Sequence, residues 1–395
     1  MLKKVFLVAF FVSFVCIGRV SFADIASESP YVNLKQEETG SIFHLPTGVK
    51  VSFDQLIGTV QSSRVIYVGE THDNLEAHRV QVEIIKALNN KFPGQLAVGM
   101  EMFRRSAQPQ LDLWQSGLLS DKKFRSLFYK HWGTDYRIYR PIFDFIAKNR
   151  LPLLGLKSNR ETQKKFKKEG YPESSEGGSY PELDFTDPYH KSYSASVFGG
   201  HEKKSLNNSK PYRMLLLWEE TMAETVANFL SDEKFSDWKL VVLAGGFHVQ
   251  YGFGVPKRAF RRVPHSYSIV LPTVTEIPAE LKDREMSYES EPIPLYAADF
   301  AWKVDYKVLP EGKIKLGVFL QETEKGAKIM SVSAGSNAGR AGILANDIII
   351  QMAGKPVVGA EDLKDVLQSK KPGEKIWVKL IRNSVEMTME VELLE

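Results

Sequence analysis

The sequence is short of cysteine: Cys16 is the single one among 395 residues. No intrachain disulfide can therefore form, and nothing after residue 16 offers thiol chemistry. Charge of one sign is also missing. Lys and Arg number 52 against 48 Asp and Glu, a net +4. Lys3, Lys4 and Arg19 all fall within the first twenty-three residues, before any acidic residue, so the remainder is nearly neutral. That balance gives no electrostatic basis for binding nucleic acid. Long apolar runs are scarce as well. The one that stands out, Val5 to Gly18, is below the ~20 residues that a membrane-spanning helix needs. With 43% hydrophobic and 25% charged residues, the rest has the composition of a soluble globular protein.

What is present begins with an export pattern. Lys3 and Lys4 precede the apolar run, and Ser21-Phe22-Ala23 puts small residues at −3 and −1 of a cleavage site before Asp24. Residues 1–23 are thus expected to be a secretory signal peptide, leaving a soluble periplasmic protein. A lipoprotein signal needs a small residue before its cysteine. Val15 stands there, which argues against a lipid anchor.

Gly40 to Asp54 has the pattern of a short strand pair. From Arg64 onward strands alternate with helices. Short apolar runs at Val65–Val68, Leu96–Met100, Leu151–Leu156, Leu240–Ala244 and Tyr267–Leu271 have the form of strands buried on both faces. Helical spacing fills Asn74–Asn90 and Tyr212–Leu230 between them. The expected fold is α/β, a mainly parallel sheet flanked by helices. Residues 104–150 carry about three helical patterns without a strand, so a small helical subdomain is expected there. Residues 171–210 are polar and rich in Gly, Ser, Pro and Tyr, the composition of a functional loop. Residues 272–306 read as a linker to a β-rich C-terminal domain spanning 307–395, which leaves 24–271 as the α/β domain.

The chemistry collects after the buried runs. Gly69-Glu70-Thr71-His72 follows the first and Glu101 ends the second; Asn159 lies just beyond the third, and Gly245-Gly246-Phe247-His248 follows the fourth. In an open parallel sheet the carboxyl ends of the strands share one edge, where ligands bind. Glu70, His72, Glu101, Asn159 and His248 should therefore converge. A lone strand-end histidine is more often structural, but four loaded strand ends are not readily a coincidence. Two histidines with carboxylates suit a divalent transition metal held by His72, Glu101 and His248. They suit general acid–base work without metal equally well.

The paired Gly-x-x-His elements resemble the ChaN/Tiki superfamily, and about Asp54 to Val270 resembles its ChaN-like haem-binding branch. Met100-Glu101-Met102-Phe103, Ser158-Asn159-Arg160, Trp218 to Ala223 and Tyr251 to Pro256 carry the match. The resemblance implies haem binding for iron uptake with a tyrosinate iron ligand, and a homodimer as one setting for it. Tyr189, Tyr193 and His201 in the polar loop are the candidate ligands; phenolate is an established haem ligand. The Tiki branch implies the alternative of a metal-dependent hydrolase, a peptidase.

Residues from Lys313 onward resemble an HtrA-like PDZ domain. Leu316-Gly317-Val318-Phe319 matches the loop that receives a peptide's C-terminal carboxylate, and Ala338 to Ile343, Asn346 to Ile349 and the helical pattern Glu361–Leu367 follow in order. The implied partner is a protein or peptide C-terminus, bound by strand addition.

Overall fold

In the computed structural model the described residues are 32–133, 135–171, 180–198, 209–284, 295–309, 314–323 and 325–395. The expected signal peptide and His201 lie outside them. The chain divides into two compact units, residues 1–308 and 309–395. Among the described residues, no helix is long and apolar enough to cross a membrane.

The first unit is built on an eight-stranded sheet. In chain order its strands are β1 (Ile42–His44), β2 (Val49–Val51), β3 (Val65–Glu70), β4 (Leu96–Arg104), β5 (Leu153–Lys157), β6 (Lys239–Gly245), β7 (Tyr267–Thr273) and β8 (Phe300–Lys303). Across the sheet the order is β2-β1-β8-β7-β3-β6-β4-β5. From β8 to β5 every pairing is parallel, whereas β1 pairs antiparallel with both β2 and β8. β3 sits centrally and is buried along its whole length. It has no polar face because helices cover both sides, as a parallel sheet requires.

Two sequence expectations change here. The stretch 272–306 is not simply a linker: Phe300–Lys303 joins β7 and β1. The polar stretch 171–210 contains a helix, Pro188–Phe198. Its start is locally encoded, since the Asp187 carboxylate accepts from the Tyr189 and His190 N–H groups at 3.1 and 3.3 Å. Pro188 supplies a first residue that needs no donor partner.

The helical subdomain after β4 consists of α1 (Gln108–Gln115), α2 (Asp121–His131) and α3 (Tyr136–Asn149). Aromatic packing fixes it to the strand. Phe103 of β4 meets Phe124, Phe128 and Phe143 with centroids 5.6–5.9 Å apart, and Trp114 stacks on Phe124 at 3.7 Å. This core delivers Tyr139 of α3 to the end of β3. A long helix, α4 (Lys210–Ser231), starts at the Ser209 cap and carries Glu219 and Glu220 fully buried in its middle.

The second unit is an antiparallel sheet of β9 (Val318–Thr323), β10 (Gly326–Val332), β11 (Ile348–Met352), β12 (Lys355–Pro356), β13 (Lys375–Arg382) and β14 (Val385–Glu392). The order is β14-β13-β11-β10-β9, with β12 on β11. An aliphatic core including Ile329, Ile349, Leu363, Val366, Val378 and Leu380 holds it together.

Candidate functional site

The site begins with a carboxylate at the end of β3. Glu70 is buried and meets four partners: His72 Nδ1 lies 2.7 Å from Oε1, the Tyr139 hydroxyl donates to Oε1 at 2.7 Å, Gln81 Nε2 donates to Oε2 at 2.9 Å, and His78 Nδ1 lies 3.4 Å from Oε2. Burial alone would push the carboxyl up; His78, His72 and Tyr139 outweigh it and hold Glu70 below its ordinary value. His72 is thereby oriented by its Nδ1, with 45% of its side chain exposed.

A second pair repeats this arrangement. His248, beyond β6, places Nδ1 3.0 Å from Glu219 Oε1, and Glu219 Oε2 lies 2.7 Å from His190 Nε2. Carboxylates that hold Nδ1 fix each ring's orientation and leave Nε2 to face the crevice. Burial would lower both histidines, but for His72 the Glu70 bond, and for His248 the charge of Glu101 and the Glu219 bond, raise them above the ordinary value.

Glu101 lies between the two pairs. It sits within β4 rather than after it, where pairing with β5 is irregular between Met100 and Arg104. Its Oε1 is 3.6 Å from His248 Nε2 and 3.3 Å from the Lys157 ammonium, and its Oε2 accepts the Gly245 N–H at 3.0 Å. Burial would raise Glu101, but His248, Lys157, His72 and the Gly245 N–H bring it down to about 2. Gly245 lies close against the site: a Cβ there would come 3.1 Å from His72 Cε1, a tight contact, and 3.6 Å from Glu101 Oε2, an ordinary one.

The structure thus brings Glu70, His72, Glu101 and His248 to one edge. Asn159 is engaged elsewhere, its Oδ1 accepting the Ser106 N–H at 2.8 Å. Lys157, Glu219, His190, Tyr139 and Gln81 are members that sequence reasoning missed. Glu219 lies within Trp218 to Ala223, a stretch that carries the family resemblance, but nothing in its position gave it a role. Lys157 stood two residues from Asn159 at the end of an apolar run. Among the described residues no group of three or more His, Cys, Asp or Glu is placed to hold a metal ion.

The two described tyrosine candidates differ. Tyr193 is 4% exposed, packs on Phe247 and Tyr251 at 4.9 and 5.3 Å, and its hydroxyl is engaged by Gln250 Nε2. Tyr189 is 59% exposed, stacks on Phe253 at 5.7 Å, and has the Lys257 ammonium 5.7 Å from its ring. In the second unit the Leu316–Phe319 loop is held by Leu316 and Gly317 carbonyls, which accept from Ala338 and Ser333 N–H groups at 2.9 Å. Gly317 has φ +78°, and a Cβ on it would fall 2.2 Å from Ser336 Cβ. β9 stands at the end of the sheet order, and the helix Ala360–Gln368 packs beside it. Edge strand and helix form the two walls expected of a peptide groove.

Comparison with known proteins separates the same two units. The PDZ domain family matches residues 315–393. Over this region the chain is 39% identical across 79 residues to the serine protease Do-like HtrA of Bacillus subtilis, covering 20% of this chain and 18% of that protein. It is 33% identical across 75 residues to the periplasmic pH-dependent serine endoprotease DegQ of Escherichia coli, covering 19% and 16%. The chain thus spans under a fifth of the length of these relatives. Among solved structures, one described as cofacial heme binding to ChaN of Campylobacter jejuni aligns at TM-score 0.49 and 18% identity, covering 66% of this chain and 95% of that one. The family described as haem-binding uptake, Tiki superfamily, ChaN matches residues 56–259, more than half of the sequence. The chain belongs to the ChaN family of the Tiki superfamily and carries a PDZ domain after it.

Proposed function

We propose that the protein binds haem through its first unit as part of iron uptake in the periplasm, and that its PDZ domain docks a partner's C-terminus. The observation that carries the haem reading is Tyr189. The residue is exposed, yet its ring stacks on Phe253, which in turn packs against Tyr193 and Tyr251, with Phe247 beyond Tyr193. An exposed oxygen donor on an apolar aromatic floor suits a flat, largely apolar ligand with an iron centre. Tyr189 would hold the ferric iron, and Lys257 offers a positive charge beside it. When bound, haem supplies the iron that is carried; the protein supplies ligand, floor and charge. Tyr193 serves the floor. The periplasmic setting is supported by the export pattern of residues 1–23.

The test is a hemin titration of the exported protein, followed by visible absorption. Tyr189→Phe should abolish the phenolate-to-iron band, while Tyr193→Phe should keep it. An unchanged spectrum in Tyr189→Phe would end the assignment of that ligand. If hemin left both variants and the parent protein equally unaltered, the haem reading itself would fall.

A further inference from the structure

The crevice at the strand ends holds the residue types of a transition-metal site, though not drawn together as ligands, and beside them stands a group that opposes metal entry. Two histidines are held at Nδ1 by carboxylates, and Glu101 lies between them. Zinc-like ions take such imidazoles and carboxylates at roughly 2.0–2.2 Å. The opposing feature is Lys157. Its ammonium is 3.3 Å from Glu101 Oε1, the same oxygen that faces His248. The indole rings of Trp132 and Trp218 hold it there, 4.4 and 5.4 Å from the charge. Cation–π contacts of this kind are strengthened where water is excluded, and the Lys157 side chain is only 15% exposed.

A divalent ion bound to Glu101 would stand within a few ångströms of this fixed ammonium. Two like charges in a poorly solvated crevice repel, and the carboxylate is already neutralised. The second oxygen of Glu101 is engaged by the Gly245 N–H. Metal entry would therefore require Lys157 to leave its aromatic cage.

We propose that Lys157 is the resident cation of this crevice and excludes a transition metal from His72, Glu101 and His248. The site then works, in whatever role it has, as a metal-free polar centre. This differs from the metal-dependent hydrolase expected as an alternative from the Tiki resemblance. It does not rest on the haem reading, because Tyr189 takes no part, although Phe247 of the aromatic floor packs on His248 at 5.8 Å.

The experiment uses the full chain freed of metal, without hemin, titrated with cobalt(II) chloride and read by visible ligand-field absorption and bound-metal content. The parent protein should take up no stoichiometric cobalt at the crevice. Lys157→Met should gain about one equivalent, lost again when His248→Ala is added. Lys157→Gln repeats the test if the thermal melt shows Lys157→Met to be unfolded. One equivalent in the parent protein, abolished by His72→Ala or His248→Ala, would overturn the proposal. So would the absence of any gain in a folded Lys157 variant.

Discussion

The two units keep their charges in different places. In the first, Glu70, Glu101, Glu219, Glu220, His78, His190, His248 and Arg258 are buried beneath or beside one sheet edge. In the second, the buried polar residues among those described are Asn337 and Asp347, and the core is aliphatic. Buried charges cost desolvation and are tolerated only in well-paired networks. The first unit accepts that cost where its chemistry lies. The peptide recognition proposed for the second would rest on backbone geometry, which leaves side chains free to pack.

Three experiments sharpen or break this contrast. The largest effect is expected from Glu219→Ala. It leaves His190, His248 and Arg258 buried without their shared carboxylate, a change that costs roughly 3–5 kcal/mol. Asp347→Ala removes the carboxylate that pairs with the partly exposed Arg382 and accepts the Leu344 N–H, and should cost only about 1–3 kcal/mol. Urea unfolding followed by circular dichroism compares the two; equal losses would mean that the burial contrast does not govern stability.

A smaller effect should appear with pH. Glu101 is held at about 2 against an ordinary 4.5, so its contribution is complete above 4.5 and lost as pH falls towards about 2. Asp347 is also lowered and gives the second unit an acid-side loss alone. His72 and His248 are raised, so their contribution is complete below 6.5 and lost as pH rises through their folded values. Below the range in which Lys375 and Arg382 lose their protons, the first unit should therefore soften on both sides and the second only in acid. Thermal melts of the full chain across pH resolve this, and a matching alkaline loss in both units would contradict it.

The smallest effect is at the peptide groove. A peptide with a free, hydrophobic C-terminus should bind at least about tenfold more tightly than its amide, a difference of ~1.4 kcal/mol. Fluorescence titration measures both, and equal affinities would remove the carboxylate-binding role of Leu316–Phe319.

The sequence made part of this legible. A buried run followed by Gly-x-x-His marks a strand end whatever the rest of the fold does, so the sequence alone places Glu70, His72 and His248. Glu219 could not. On a helix an acid reads as a solvated face, and only the arrival of His190 and His248 explains its burial. Phe300–Lys303 was missed because four residues in a polar stretch carry too little period to declare a strand. The opposite environments of Tyr189 and Tyr193, one helical turn apart, are set by Phe247 and Tyr251 from a distant segment.

That short strand has a consequence for the order in which the protein can form. Among the described residues the β1–β2 hairpin joins the rest of the sheet through β8, so residue 42 waits for residue 302. A chain emerging from its N-terminus would hold an unanchored hairpin until nearly the whole first unit has followed. Pairings so far apart in sequence slow folding, and the family match, which ends at residue 259, stops before β7 and β8. A fragment cut at that boundary would lose two strands and orphan two more. The segment that matches the family is thus smaller than the segment that builds the sheet.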